Sequence, residues 1–237
     1  MKFTYLDWDS KFFGKRIGRI DMESKDESDI RSITSSHTDI ELFYIFDSIE
    51  RQLSLSASIP GFKLVDIKVV YRLSLKDAPI RSLDHSEVKL KEYSLSYTSV
   101  ELENLAYQSG EFSRFKTDSS FPATDFFRLY KEWIDGSVSK RLADVIYIAT
   151  SNKQIMGMVT VKFNQQEAHI GLIAVQKHFR GMNVGTQLLE HVKKESQQRN
   201  ILHIFVPTQK QNESACKFYE RNGFLINNVM HIYHYWS

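Results

Sequence analysis

A single cysteine, Cys216, stands among 237 residues. That excludes an intramolecular disulfide and suits a reducing compartment. An excess of one charge is also missing: 31 Lys and Arg against 29 Asp and Glu leave a formal net charge of +2. Nothing in that balance compels a nucleic-acid partner or a membrane surface, although an anionic small molecule is welcome. No apolar run approaches the roughly 20 residues of a membrane span. The opening MKFTYLDWDSKFFGKRIGRI carries charges every few residues and lacks the apolar core of a secretion signal. Two familiar phosphate loops are absent as well. There is no GxxxxGK[ST], which excludes a nucleoside-triphosphate P-loop, and no GxGxxG, which excludes a Rossmann fingerprint. What remains is an ordinary globular composition, 42% hydrophobic and 25% charged, expected to fold as a soluble, cytoplasmic α/β protein. The length is generous for one domain and comfortable for two small ones.

Alternation in FTYLDWDSKFFGKRIGRIDM predicts a strand, a turn at Gly14 and a second strand. SKDESDIRSITSSH has helical spacing in its later half, and ELFYIFDSI (41–49) reads as a buried strand. GFKLVDIKVVYRLSLK (61–76) is a long alternating strand, and DAPIRSLDHSEVK, with Pro79 and no periodicity, is a linker. FPATDFFRLYKEWIDGSV predicts a helix starting at Pro122 to Asp125, with Phe126, Phe127, Tyr130, Trp133 and Ile134 as its apolar face. DVIYIAT and IMGMVTVKF form a hairpin, AHIGLIAV a strand, and VGTQLLEHVKKESQQRN a helix. ILHIFVP is a strand, NESACKFYERNGF a short helix closed by Gly223, and NNVMHIYHYW a last strand. GFKLVDIKVVYRLSL also aligns with GFLINNVMHIYHYWS, pairing Gly61 with Gly223, Phe62 with Phe224 and Tyr71 with Tyr233. Gly-Phe before a strand is common enough for chance to explain this faint repeat; if real, it makes the first half a reduced copy of the second, without its glycine loop.

That loop lies in FRGMNVGTQLLEHV (179–192). A strand, a tight turn and a helix start present several N–H groups at a positive helix terminus, an arrangement that binds phosphate; by itself, an ordinary strand-to-helix connection is the plainer reading. Gly181 and Gly185 remove the Cβ where backbone approaches a ligand, and Arg180 adds a cation. Asn183 stands where a further glycine is common; asparagine is the non-glycine residue most at ease with positive φ. In the last strand, period two separates His231 from His234, which argues against a metal pair, and no other histidine shows ligand spacing. No metal is expected. Cys216, mid-helix beside Ala215, reads as a small core residue.

Two motifs together carry a resemblance. Arg180-Gly-Met-Asn-Val-Gly185 follows a strand and opens a helix. After one more strand comes Asn212-Glu-Ser-Ala215-Cys-Lys-Phe218-Tyr219-Glu-Arg-Asn-Gly223-Phe224. The pair resembles the acetyl-CoA signature of the GNAT superfamily of N-acyltransferases over roughly residues 85–237. LDWDSKFFGKRIGRI, FSRFK at 112–116, HIGLIAV and the ending IYHYW look like one branch, the bacterial sugar-nucleotide N-acyltransferases of dTDP-fucosamine type. The resemblance implies a mixed, splayed central sheet flanked by helices at 85–237. It also implies a smaller, truncated GNAT-like α/β platform domain at 1–78.

The implied cofactor is acetyl-CoA or another short acyl-CoA. Main-chain groups of Leu172, Ile173, Ala174 and Val175 would pair with its pantetheine arm, one N–H of Ile173 or Ala174 serving the oxyanion. N–H groups of Arg180, Gly181, Met182, Asn183, Val184, Gly185 and Thr186 would take the pyrophosphate. Asn212, Ala215 and Phe218 would line the far side, and Tyr219 matches the family's general acid; a helix tyrosine packed on a sheet is the plainer reading of it. Glu167 and His169 are candidate bases, or else solvated strand-end groups. Ser113, Arg114, Phe115 and Lys116, with Tyr233 and His234, are the expected acceptor side; an exposed polar turn before a helix is the other reading of 113–116. The branch implies a nucleotide-linked amino sugar as partner, used in surface polysaccharide such as O-antigen, and a homodimer.

Overall fold

The computed structural model describes residues 2–22, 27–48, 61–76, 78 and 88–237. The predicted linker therefore lies mostly outside the described residues, as does Ile49 of the third predicted strand. The chain divides into two compact units.

The first comprises Met1–Val69, Gln209–Gln211 and Asn228–Ser237. Its elements are β1 (Lys2–Tyr5), α1 (Asp7–Phe13), β2 (Ile17–Asp21), α2 (Glu27–Ser36), β3 (Leu42–Ser48), the first part of β4 (Phe62–Ser74) and the later part of β10 (Leu225–Trp236). β1 and β2 are antiparallel, β2 and β3 parallel from Ile17↔Leu42 to Asp21↔Phe46, and β10 runs antiparallel to β3. Ile20, Ile30, Ile40, Phe43, Ile45, Phe62 and Tyr233 form its core. The helix α1 corrects the strand–turn–strand expectation for this stretch. Asp7 and Asp9 lie in its first turn, where carboxylates favour a helix start. Gly14, at φ +66°, closes it by returning its N–H to the Ser10 carbonyl. Trp8 and Phe12, one turn apart, stack at 5.0 Å; their spacing also mimics alternation, which is why the pattern misleads.

The second unit comprises Val70–Thr208 and Asn212–Asn227. Beyond the end of β4 it holds β5 (Lys89–Glu92), α3 (Val100–Ser109), α4 (Arg114–Thr117), α5 (Ala123–Val138), β6 (Val145–Ser151), β7 (Gln154–Asn164), β8 (Glu167–Val175), α6 (Val184–Gln198), β9 (His203–Gln209) and α7 (Glu213–Arg221). The strands lie in the order β9-β8-β7-β6-β5, with only the β8–β9 pair parallel. Leu102, Leu105 and Ala106 of α3 and Phe126, Tyr130 and Ile134 of α5 pack on Ile146, Ile148, Met158, Leu172 and Ala174 of the sheet. Phe127, expected on the buried face of α5, is 50% exposed, and Leu129 takes its place inside. β5 has no counterpart among the sequence-predicted strands; KLKE is a short charged segment, the usual composition of a protected sheet edge. Gly61 and Gly223, paired in the repeat, both have positive φ (+90° and +85°) at the start of a strand. Their partners Phe62 and Phe224, Tyr71 and Tyr233, are all buried.

Candidate functional site

The site is built on an interruption of the sheet. β8 and β9 are in register from Glu167↔His203 to His169↔Phe205, yet β8 continues to Val175 and β9 to Gln209. Past His169 the two neighbours carry no ladder between them. On its other side β8 has a bulge: Ile170 pairs with Val161 and Ile173 with Val159, so Gly171 and Leu172 together face Thr160. The Leu172 N–H finds its acceptor in the Thr160 hydroxyl at 2.8 Å.

Backbone direction follows by alternation along the strand. Gln176 donates to the Met156 carbonyl at 2.8 Å, and a Cβ on Gly157 would lie 2.8 Å from the Ala174 carbonyl. Residues 174 and 176 therefore turn their polar groups toward β7. Ile173 and Val175 turn theirs toward the interruption, and Arg180 Nε bonds the Val175 carbonyl at 3.2 Å. Of the two residues expected to serve the oxyanion, Ile173 turns its N–H toward the interruption and Ala174 toward β7.

After β8 a single 3-10 turn, Lys177–Phe179, leads into the glycine loop. Gly181 has φ +82° with open space where a Cβ would be, and Asn183 has φ +61° immediately before α6. Arg180, Gly181, Met182 and Asn183 are exposed, Gly185 and Thr186 half-buried, and Val184 is buried, anchoring the helix start. The loop keeps its shape with asparagine in the left-handed position. Gly185 has a second reason to be glycine, since a Cβ there would come within 3.1 Å of the Phe218 ring. The two motifs therefore touch.

Phe218 sits on α7, whose N-terminus is capped by the Asn212 side chain accepting from the Ala215 N–H at 3.2 Å. Asn212 is thus a helix cap. Tyr219 is 3% exposed, held among the rings of Phe218 (5.4 Å), Tyr71 (5.5 Å) and Phe224 (5.8 Å). Burial, with the Cys216 thiol nearby, pushes its phenol pKa well above the ordinary tyrosine value. At the start of β8, His169 Nε2 and Glu167 Oε2 are 2.9 Å apart, and the His169 ring lies parallel to Phe205 at 5.3 Å.

The expected acceptor residues divide between the units. Ser113 caps α4 through the Phe115 N–H, and Phe115 is buried against Phe121 and Trp133. The Arg114 guanidinium lies over the Phe115 ring at 4.4 Å, and Lys116 pairs with Glu111 at 3.6 Å. Tyr233 and His234 belong to the first unit, where Tyr233 joins the core and His234 stacks on Tyr44. Residues that the motifs do not reveal are Thr160, Gly157 and Tyr71, which bear on β8 or Tyr219 from other strands.

Residues 105–224 match the family model described as Acetyltransferase (GNAT) family. Over 132 residues, 56% of this chain and 45% of the relative, the chain is 26% identical to the spore coat polysaccharide biosynthesis protein SpsD of Bacillus subtilis. It spans about half the length of the curated relatives it matches. A functionally unknown conserved protein of Staphylococcus epidermidis matches with a TM-score of 0.62 at 14% identity, covering 94% of this chain and 84% of the other. A GCN5-related N-acetyltransferase from Sphaerobacter thermophilus gives 0.60 at 12% identity, covering 99% and 76%. At such identities the likeness is one of fold.

Proposed function

We infer, for a chain that belongs to the GNAT family of acetyltransferases, that it moves an acetyl or other short acyl group from acyl-CoA to the amine of a nucleotide-linked sugar. The acceptor of this reading is a dTDP-linked 3- or 4-amino-6-deoxyhexose destined for surface polysaccharide. The observation that carries the acyl-transfer chemistry is the lapse of the β8–β9 ladder after His169↔Phe205, with β8 leading into an exposed glycine loop whose Gly185 meets Phe218, next to the buried Tyr219. The polysaccharide biosynthesis named for SpsD supports the sugar acceptor, as does the branch resemblance at both ends of the chain.

The residues present fit acyl-CoA. The Ile173 N–H and carbonyl and the Val175 N–H face the interruption, where an extended pantetheine arm would lie; Arg180 holds the Val175 carbonyl. The N–H groups of Gly181 and of 183–186 meet the pyrophosphate at the start of α6, where the helix dipole is favourable; those of Arg180 and Met182 already donate to the Lys177 and Phe179 carbonyls. The Ile173 N–H stabilises the oxyanion that forms when the neutral amine attacks the thioester carbonyl. As the C–S bond breaks, Tyr219 gives its proton to the leaving sulfur; its raised pKa keeps that proton in place beforehand. The amine's surplus proton passes to water or to His169, whose Nε2 is held by Glu167. The pair Arg114 and Lys116 supplies positive charge for the acceptor's diphosphate.

The test is thiol release from acetyl-CoA in the presence of a panel of dTDP-amino-6-deoxyhexoses, with product mass read directly. Release with a sugar nucleotide supports the reading. Release only with peptide or small-metabolite amines would replace the acceptor, and none with any donor would overturn it.

A further inference from the structure

Of the three described rings against Tyr219, that of Tyr71 comes from farthest along the chain. It lies in the last part of β4, which belongs to the same compact unit as α7. Tyr71 is 1% exposed. Its hydroxyl donates to Glu220 Oε1 at 2.8 Å, and its ring is 5.5 Å from that of Tyr219 at an interplanar angle of 44°. One side chain thus both covers the tyrosine and grips the residue next to it.

The Tyr219 carbonyl accepts from the Asn222 and Phe224 N–H groups at 3.0 and 3.1 Å, but its hydroxyl bonds no other described residue. The direction of its hydroxyl is therefore set by ring packing and by the rotation of α7 about its own axis. Asn212 ties the start of that helix. At its end, Lys193 Nζ donates to the Asn222 carbonyl at 3.4 Å. Neither tie lies at the turn that carries Tyr219, whereas the Tyr71–Glu220 bond does.

We propose that Tyr71 is a positioning residue for Tyr219, fixing through Glu220 the rotation of α7 that aims the Tyr219 hydroxyl. This rests on the acid role given to Tyr219. Burial first, then Glu220 and Cys216, hold the Tyr71 phenol protonated, so it remains a donor across the ordinary pH range. A displacement of about 1 Å at a reacting group costs on the order of 100-fold in rate, so a clamp one hydrogen bond strong is enough to matter.

Tyr71→Phe removes the hydroxyl and keeps the ring. With acetyl-CoA and a dTDP-linked 4-amino-6-deoxyhexose, its kcat should fall about 10-fold while KM for acetyl-CoA and the melting temperature hold. Glu220→Ala should give the same loss, and Glu220→Gln, which still accepts, should restore most of it. In a Tyr219→Phe background, Tyr71→Phe should change kcat no further. A second readout needs no turnover: the NMR resonance of fluorotyrosine at position 219 should shift in full-length Tyr71→Phe that melts normally.

An unmoved resonance, or a lower melting temperature with kcat per folded molecule unchanged, overturns the inference. If Tyr219→Phe is itself silent, the acid role falls. If Tyr219→Phe is inactive while Tyr71→Phe matches wild type, only the clamp falls.

Discussion

The Phe218 ring sits so near Gly185 that a Cβ on the glycine would approach it to 3.1 Å. One motif's helix start thus takes its place against the other motif's aromatic. A methyl group at Gly185 asks a half-buried ring to yield by a few tenths of an ångström, whereas a branched side chain has no such room. Gly185→Ala should leave acetyl-CoA affinity within a few-fold, and Gly185→Val should weaken it by about 10-fold or more, the scale of overpacking costs of 1–3 kcal/mol. Calorimetric titration of each variant with CoA checks this, and equal affinities would separate the two motifs.

Tyr219→Phe should keep CoA affinity and lose turnover by about 100-fold or more, the usual scale of a positioned acid. Because burial raises the phenol's pKa in the folded protein, kcat should show no alkaline decline from this group below about pH 10. The stability consequence has a definite sign. The unfolded phenol ionises first, so stability is fully present below about pH 10 and is lost as pH rises beyond it. Urea midpoints measured across that range, for wild type against Tyr219→Phe, report the difference.

Thr160→Val keeps the shape at the bulge and removes the acceptor used by the buried Leu172 N–H. The cost of such an orphaned donor is about 1–3 kcal/mol. Because the bulge sets the direction of Ile173, kcat should fall along with thermal stability. A variant that melts early yet turns over normally per folded molecule would detach the bulge from the chemistry.

Asn183→Gly should be nearly silent, since glycine accepts φ +61° freely. Asn183→Val should weaken CoA binding, because the left-handed conformation costs a side chain about 1–2 kcal/mol and β-branching makes it worse. If Asn183→Gly were the damaging change, the asparagine side chain and not its backbone would be what the loop needs.

Much of the second unit was legible in the sequence because its signals are local. Strands β6 to β9, helices α5 to α7 and the positive φ of Asn183 and Gly223 each follow from a short periodic or turn pattern. The first unit was less so at α1, where two aspartates and a glycine cap outweighed an alternation that reads equally as strand. The site was half legible. Its motifs name the loop and Tyr219, but the choice of Ile173 over Ala174 needs strand direction, and Tyr71 lies 148 positions from Tyr219 in the chain. Such separations leave no pattern in a single sequence, because only the folded sheet brings the two together.

The unzipped stretch between β8 and β9 also has a thermodynamic consequence. A strand edge inside a protein is a debt of unmade hydrogen bonds, here owed at Ile173, while Arg180 already meets the Val175 carbonyl. An extended ligand lying along that edge would complete the sheet, so folding and binding would draw on the same bonds. At a ligand concentration of about 100 times Kd, mass action alone adds about 2.7 kcal/mol to stability. The protein would then be sturdiest with its substrate in place, as a garment is firmest once fastened.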